Sequence, residues 1–160
     1  MTSHDELTIT TLFVTKHHGG KEKKMASMNK IDVPLTATLS GKNIKISGPT
    51  SFPLLNVNSG AWHFGFTLDD QTNKGVRFTT LDAIDGAKVC PASGTGNQSK
   101  LIVGDQVEPN DPTQARFTDN NNNDAKLGVV DVSFQWNFTC DDQSIKVEPY
   151  DPVVPNGGKT

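Results

Sequence analysis

Apolar and polar side chains alternate without a break along residues 130–140, and this pattern constrains the fold more than any other feature. The even-numbered positions are apolar, and the odd-numbered positions from Asp131 to Thr139 are polar. A period of two residues is that of a β-strand, which buries one face and leaves the other in solvent. The same alternation recurs along residues 61–68, and the aromatic residues of the two segments are Trp62, Phe64, Phe66, Phe134, Trp136 and Phe138. Two strands with buried aromatic faces are therefore predicted.

The other strand-like segments are short, and turns rich in Gly, Asn, Asp and Pro separate them. They include "IDVPLTATL", "NIKIS", "GVRFTTL", "QARFT" and "IKVEPY", and no segment has the period of an amphipathic helix. The pattern predicts one all-β domain, an antiparallel two-sheet sandwich of about eight strands with immunoglobulin-like architecture. A small β-barrel is the alternative. The immunoglobulin sequence signature is missing, because Trp62 precedes Cys90 instead of following it.

Composition changes at both ends of the chain, and these changes set the predicted domain boundaries. Residues 1–24 hold three of the four histidines and end in the charged run "GGKEKK", after which "MASMNK" reads like a new start. We expect residues 1–24 to be a disordered or non-native extension and residues 25–150 to be the β-sandwich domain. The alternative is a genuine N-terminal arm, because "LTITTLFV" has the composition of a strand that pairs with a neighbour. Residues 151–160, with two prolines and two glycines, are expected to form an extended tail.

Two segments are predicted to lie at sheet edges. Pro34 lies within "IDVPLTATL" and lacks the N–H group that a sheet ladder needs, so this segment is predicted to be an edge strand or the start of one. The last strand before the tail, "IKVEPY", is the second predicted edge. Edge strands present unpaired N–H and C=O groups, which can pair with a strand of another molecule.

Charge and hydropathy argue against several classes of partner. The formal net charge is -3, the sequence pI is about 5.7, and no basic stripe is present. Nucleic acids and anionic membrane surfaces both need clustered Lys and Arg, so neither is an expected partner. The N-terminal residues lack the basic region of a secretion signal, and the predicted compartment is the cytoplasm. Cys90 and Cys140 are accordingly expected to be separate thiols, with a disulfide between them as the alternative.

The run "DNNNND" at residues 119–124 is rich in oxygen donors. Carboxylate and amide oxygens are the ligands that Ca²⁺ prefers, so the candidate ligands are Asp119, Asn121, Asn123 and Asp124. The run does not fit the EF-hand template, whose sixth position is Gly and whose twelfth is Glu. Asn also adopts left-handed backbone and makes turn hydrogen bonds, so a polar hairpin loop explains the run without a metal. A calcium-dependent lectin-like module is therefore one alternative function.

His63 is the only histidine of the predicted domain and lies on the small-residue face of its strand, beside Ala61 and Gly65. Paired with an aspartate, it would serve a hydrolase acting on sugar or ester substrates, which is the second alternative function. The acidic pairs at residues 69–70 and 141–142 each precede a Gln and a polar turn, where Asp is favoured on conformational grounds alone. A lone histidine on the second face of a strand is more often simply solvated.

The polar face of residues 130–140 is the face expected to be exposed. Ser133, Gln135 and Asn137 lie on it and, with His63, are the candidate binding residues. The sequence contains no complete catalytic constellation, no phosphate-binding loop and no Cys/His cluster. We therefore predict a non-catalytic binding or assembly module without a cofactor. Its partner is expected to be another protein, or a second copy of this chain, bound at a sheet edge.

Overall fold

The computed structural model describes residues 7–12, 28–83, 101–122 and 124–160. These residues form ten β-strands and one short 3-10 helix, Ala125–Leu127, and the prediction of an all-β protein is confirmed. The strands are β1 (Thr8–Leu12), β2 (Met28–Ser40), β3 (Asn43–Ser47), β4 (Trp62–Asp70), β5 (Arg77–Ala83), β6 (Ile102–Val107), β7 (Gln114–Asp119), β8 (Val130–Thr139), β9 (Lys146–Val147) and β10 (Val153–Asn156). No helix among the described residues is long and apolar enough to span a membrane.

Seven strands form one sheet that curls into a half-barrel, and three strands form a second sheet. The order in the larger sheet is β6-β7-β4-β2-β3-β9, and β1 also pairs with β2; the order in the smaller sheet is β10-β8-β5. One side of β2 is shared, because β1 pairs with residues 28–32 and β3 pairs with residues 36–40. The other side of β2 pairs with β4 over residues 29–37. β2 is thus the central strand of the larger sheet.

The larger sheet is mixed, so the prediction of purely antiparallel sheets is wrong. β2 and β4 run parallel, as do β3 and β9. β2 and β3 form a tight antiparallel hairpin, and residues 48–61 then carry the chain to the other side of β2. β4 therefore runs opposite to β3 and parallel to β2. Because residues 48–61 are long enough to cross β2, the parallel pairing is possible.

Aromatic side chains of β4 and β7 pack against those of β8. The ring of Phe66 lies 5.8 Å from that of Phe134 and 5.6 Å from that of Trp136, and Phe117 lies 4.8 Å from Phe134. Phe134 and Trp136 are at most 1% exposed. Burial of each such side chain contributes roughly 1.5–3 kcal/mol to stability. The prediction that the aromatic faces of residues 61–68 and 130–140 form the core is confirmed.

Pro34 lies in the middle of β2, so the prediction of an edge strand at this segment is wrong. Its carbonyl oxygen would lie 3.2 Å from a Cβ atom placed on Gly48, which shows that this carbonyl faces the β3 side of β2. The N–H and C=O groups of one residue point to the same side of a strand, so the missing N–H of Pro34 is not needed by the ladder with β4. Pro34 falls between the stretches of β2 that pair with β1 and with β3. A proline is tolerated there because neither strand pairs with it.

The C-terminal tail is held between β8 and residues 55–58. β10 pairs with β8, and a parallel bridge joins Leu55 to Asn156 on the other side. The N–H group of Leu55 donates to the carbonyl of Pro155 at 2.8 Å, and that of Gly157 donates to the carbonyl of Leu55 at 2.6 Å. A Cβ atom on Gly157 would lie 2.6 Å from the carbonyl oxygen of Leu55. Only glycine permits so close an approach of the two backbones.

Cys140 is 2% exposed, and in the described part of the chain its thiol is free. The Sγ atom donates to the carbonyl oxygen of Asp142 at 3.2 Å. Cys90 lies outside the described residues, as do residues 1–6 and 13–24 of the predicted extension, whereas residues 8–12 of the extension form β1 and pair with β2. The predicted domain boundaries stay a prediction. The interpretation of the two cysteines as separate thiols stays a prediction.

Candidate functional site

The edge that β1 adds to β2 is the candidate functional site. β1 has the sequence "TITTL", and its β-branched residues favour an extended backbone. It pairs antiparallel with β2, from Thr8 opposite Asp32 to Leu12 opposite Met28. Among the described residues, β2 is the strand that pairs with β1. One side of β1 therefore presents backbone N–H and C=O groups that no described strand uses.

Ile9 of β1 is only half covered by the domain. It lies directly opposite Ile31, and residues opposite each other in a sheet point to the same face. Ile31 is 0% exposed, whereas Ile9 is 50% exposed, and Leu7 packs partly buried against the core cluster. The inward face of the larger sheet thus continues into β1 but ends there in an apolar side chain that is half in solvent.

The outward face of the sheet beside this edge is polar. Lys30 of β2 lies opposite Thr10 of β1 and forms an ion pair with Asp32, with 2.8 Å between Nζ and Oδ1. The two side chains are 44% and 45% exposed, so the pair contributes little to stability. His63 of β4 lies opposite Lys30 in the ladder between β2 and β4.

The hydrogen-bond partner of His63 is a hydroxyl group. Nδ1 of His63 lies 2.9 Å from Oγ1 of Thr118 on β7, and the tautomer of the ring sets which atom donates. The side chain is half-buried on the outer face of the larger sheet. The hydrolase hypothesis needs a carboxylate in the position that Thr118 occupies at Nδ1.

Ser133, Gln135 and Asn137 lie on the outer face of the smaller sheet, half-buried. Nε2 of Gln135 donates to Oδ1 of Asn137 at 2.7 Å, and Nδ2 of Asn137 donates to Oγ1 of Thr80 at 3.0 Å. Ser133 lies opposite Val153 of β10. The structure brings these three residues together on one face. It places His63 on the other sheet, so the four candidate binding residues do not form one site.

The structure describes three of the four candidate calcium ligands, and it does not bring these three together. Asp119 and Asn121 are 0% exposed, whereas the exposed Asp124 caps the 3-10 helix by accepting from the N–H group of Lys126 at 3.0 Å. Asn123 lies outside the described residues. Within the described residues, no group of three His, Cys, Asp or Glu residues could hold a metal ion.

Asp119 and Asn121 belong to a buried hydrogen-bond network that holds the C-terminal tail, here called the tail network. Oδ1 of Asp119 accepts from the N–H group of Asn121 and from Nδ2 of Asn156, at 2.8 Å in each case. Asn121 donates through Nδ2 to the carbonyl of Asn56 at 2.8 Å and accepts at Oδ1 from the N–H group of Gly158 at 2.8 Å. Burial raises the pKa of Asp119 to about 6. The network joins β7, residues 56–59 and the tail.

Sequence reasoning missed Asn156 and the other tail contacts. The only signal was the tail sequence "PNGG", which is also typical of a turn. Sequence reasoning did place Asp70 and Asp142 in turns, and each accepts the N–H group two residues further on, Thr72 at 2.9 Å and Ser144 at 3.1 Å. These two carboxylates therefore serve the turns.

No protein-family model matches this chain, and comparison with curated protein sequences gives no match.

Proposed function

We propose that this chain is a non-catalytic assembly module whose copies join by strand addition at the edge formed by β1. The proposal adopts the second interpretation of residues 1–24, a genuine N-terminal arm, and it rests on one observation, the half-exposed Ile9 on an uncharged edge strand. Natural proteins protect sheet edges with Lys, Pro, bulges or very short strands. β1 is five residues long and contains none of these features.

The other sheet edges support this choice by contrast. β6 has a register shift between Val103 and Gln106, and β5 has one between Phe78 and Leu81. β9 is only two residues long. The end of β10 and the residues after it are covered on their outer side by residues 55–58, which bond to the carbonyl of Pro155 and to the backbones of Gly157 and Gly158. Bulges, short length and coverage are the ordinary means of preventing pairing between molecules, and β1 alone among these edges has none of them.

We also propose that the two sheets pack as a sandwich with the general architecture of immunoglobulin domains. The contacts of Phe66 and Phe117 with Phe134 support this packing. In a sandwich, the inner face of each sheet is covered by the other, so an interaction with a partner is left to the edges and the outer faces. Among the edges that the structure describes, β1 is the one without a bulge, a charge or a covering segment.

Replacing Ile9 by Lys tests the proposal. A lysine here introduces the charge that natural edges use to prevent pairing, and we expect the dissociation constant for self-association to rise about tenfold or more. Sedimentation velocity from low to high micromolar concentration measures it. Because Ile9 is already 50% exposed, we expect little change in the thermal melt.

Leu39→Lys is the matched control. Leu39 is 54% exposed and lies at the far end of β2, in the ladder with β3. The control should leave association unchanged. Equal weakening by Ile9→Lys and Leu39→Lys would overturn the proposed edge, and so would association that Ile9→Lys does not weaken.

A further inference from the structure

We propose that two copies of this chain form a closed dimer in which their β1 strands pair antiparallel with each other, around a two-fold axis at Ile9. This inference rests on the proposed function and names the surface that β1 meets on the second copy. That surface is the free edge of the second copy's own β1. The larger sheets of the two copies then join into one continuous sheet.

The bonding of β2 shows which backbone groups of β1 point to the free edge. The N–H and C=O groups of one residue in a strand point to the same side, and successive residues alternate between the two sides. The carbonyl of Ala37 accepts from the N–H group of Gln71 at 3.1 Å on the β4 side of β2, whereas the carbonyl of Pro34 faces the β3 side. Odd-numbered residues of β2 therefore point to β4, and even-numbered residues point to β1 and β3.

The same alternation continues into β1. Lys30 is even-numbered and lies opposite Thr10, so these two residues exchange hydrogen bonds between β2 and β1. Ile9 is next to Thr10 in the strand, so its N–H and C=O groups point away from β2. Leu7 and Thr11, two residues away on either side, point the same way as Ile9. Among the described strands, none pairs with this side of β1.

A second β1 strand fits this edge best when the two-fold axis lies at Ile9. Antiparallel strands exchange hydrogen bonds where residues that point toward each other lie opposite, so an odd-numbered residue must meet an odd-numbered residue. The axis at Ile9 gives three such pairs, namely Ile9 with Ile9, and Leu7 with Thr11 on each side of the axis. Within residues 7–12, an axis at Thr8 or at Thr10 gives two such pairs. The axis at Ile9 therefore forms the most hydrogen bonds.

The side chain of Ile9 favours the same position of the axis. A two-fold axis perpendicular to the sheet keeps the inward faces of the two copies on the same side, so the two Ile9 side chains meet there. Each is 50% exposed in the single chain, and in the dimer each covers part of the other. Removal of this apolar surface from water stabilises the dimer.

The other described edges of the chain fit β1 less well than β1 fits itself. β6 has a register shift between Val103 and Gln106, and β9 is two residues long, so neither offers a regular ladder of this length. β1 carries no charge, so two copies of it meet without repulsion between their strands. Because the pairing uses the free β1 edge of both copies, the assembly closes at two.

Single-cysteine variants test the position of the axis. With the axis at Ile9, Thr8 of one copy lies opposite Thr10 of the other in a pair that exchanges no hydrogen bonds. The Cα atoms of such a pair are about 4.5 Å apart, a separation that a disulfide spans. We would make Thr8→Cys and Thr10→Cys in separate full-length chains that carry Cys90→Ser. Cys140 is retained because it is 2% exposed. Each chain alone and an equal mixture are oxidised at high micromolar concentration and separated on a non-reducing gel.

The axis at Ile9 predicts a cross-linked dimer in the mixture and none in either chain alone. A cross-linked dimer of T10C alone would place the axis at Thr10, and one of T8C alone would place it at Thr8. Either result would overturn this inference and leave the assembly proposal standing. Association that is seen by sedimentation but gives no cross-link in any sample would also overturn this inference alone. Samples that stay monomeric by sedimentation and form no cross-link would overturn both proposals.

Lys45→Cys is the matched control for Thr8→Cys. Both side chains are exposed, but Lys45 lies on β3, which pairs with the other end of β2. K45C that also carries Cys90→Ser should give no dimer when it is mixed with T10C. A product of K45C and T10C as abundant as that of T8C and T10C would show that the cross-link arises from random collision, and this inference would be overturned.

Ile9→Lys, added to both T8C and T10C, tests the contact at the axis itself. It places two lysines opposite each other, and like charges opposite each other destabilise a sheet. The cross-linked dimer should therefore be lost from the mixture. A cross-link that persists unchanged would contradict an axis at Ile9.

Discussion

Asp119 is the residue on which the tail network depends, and its environment gives it an unusual linkage to pH. Burial raises its pKa from the ordinary 3.8 to about 6. The folded state therefore binds this proton more tightly than the unfolded state does. Between these two pKa values a rise in pH favours unfolding, because the folded state must release a proton that the unfolded state has already lost.

We predict that the free energy of unfolding falls by about 2 kcal/mol as pH rises from about 4 to about 6, since one pKa unit corresponds to roughly 1.4 kcal/mol and the full effect of the shift is reached only above pH 6. Urea denaturation at a series of pH values measures this change. Asp119→Asn has no proton to lose and should not show it. A wild-type stability that stays constant or rises over this range, or a fall that Asp119→Asn retains, would contradict the assignment.

Gly157 is the residue that lets the tail approach residues 55–57. A Cβ atom there would lie 2.6 Å from the carbonyl oxygen of Leu55 and 2.8 Å from the nitrogen of Val57. We predict that Gly157→Ala lowers the free energy of unfolding by about 3 kcal/mol, because both contacts are with backbone that must shift.

Gly41→Ala is the control for this prediction in the same denaturation experiment. Gly41 has a φ of 62°, and a Cβ atom added to it would meet nothing within 4 Å, so only the cost of left-handed backbone applies. That cost is about 1 kcal/mol. Equal losses in the two variants would show that the tail does not approach residues 55–57 as closely as described.

At the scale of the elements, the sequence predicted the strands better than their pairing. Alternation with a period of two identified β4 and β8 and their buried faces, because burial on one side of a strand acts directly on every second residue. The parallel pairing of β2 with β4 was not predictable in this way. It depends on the path of residues 48–61, which carry no regular pattern. Pro34 indicated an edge strand because, in a strand that is paired along both sides, its missing N–H was assumed to interrupt a ladder.

For the candidate sites as well, the sequence predicted some features and not others. The polar character of Ser133, Gln135 and Asn137 indicated the outer face of β8, on which the structure places them. The inward position of Asp119 and Asn121 could not be read from the same composition. Oxygen-rich side chains suit a solvated loop, a metal site or a buried network equally well, and the choice depends on which backbone groups approach them. Here those groups come from residues 56 and 158, far away in the sequence.

At the scale of the whole molecule, the two sheets differ in how their edges are protected. The smaller sheet is bounded by β10, which residues 55–58 cover, and by β5, which contains a register shift. The larger sheet ends in β6, in β9 and, beside residues 28–32 of β2, in β1, which is regular, uncharged and apolar at Ile9. Since this edge carries no charge, association through it should depend little on salt concentration, although the chain has a net charge of -3.

The mass of the wild-type chain in solution tests the central claim most directly. Sedimentation velocity at increasing protein concentration, at low and at high salt, should show a monomer converting to a dimer at a concentration that hardly changes with salt. This result would follow from pairing of uncharged strands. A single monomeric species at every concentration would contradict the assembly of this chain through β1.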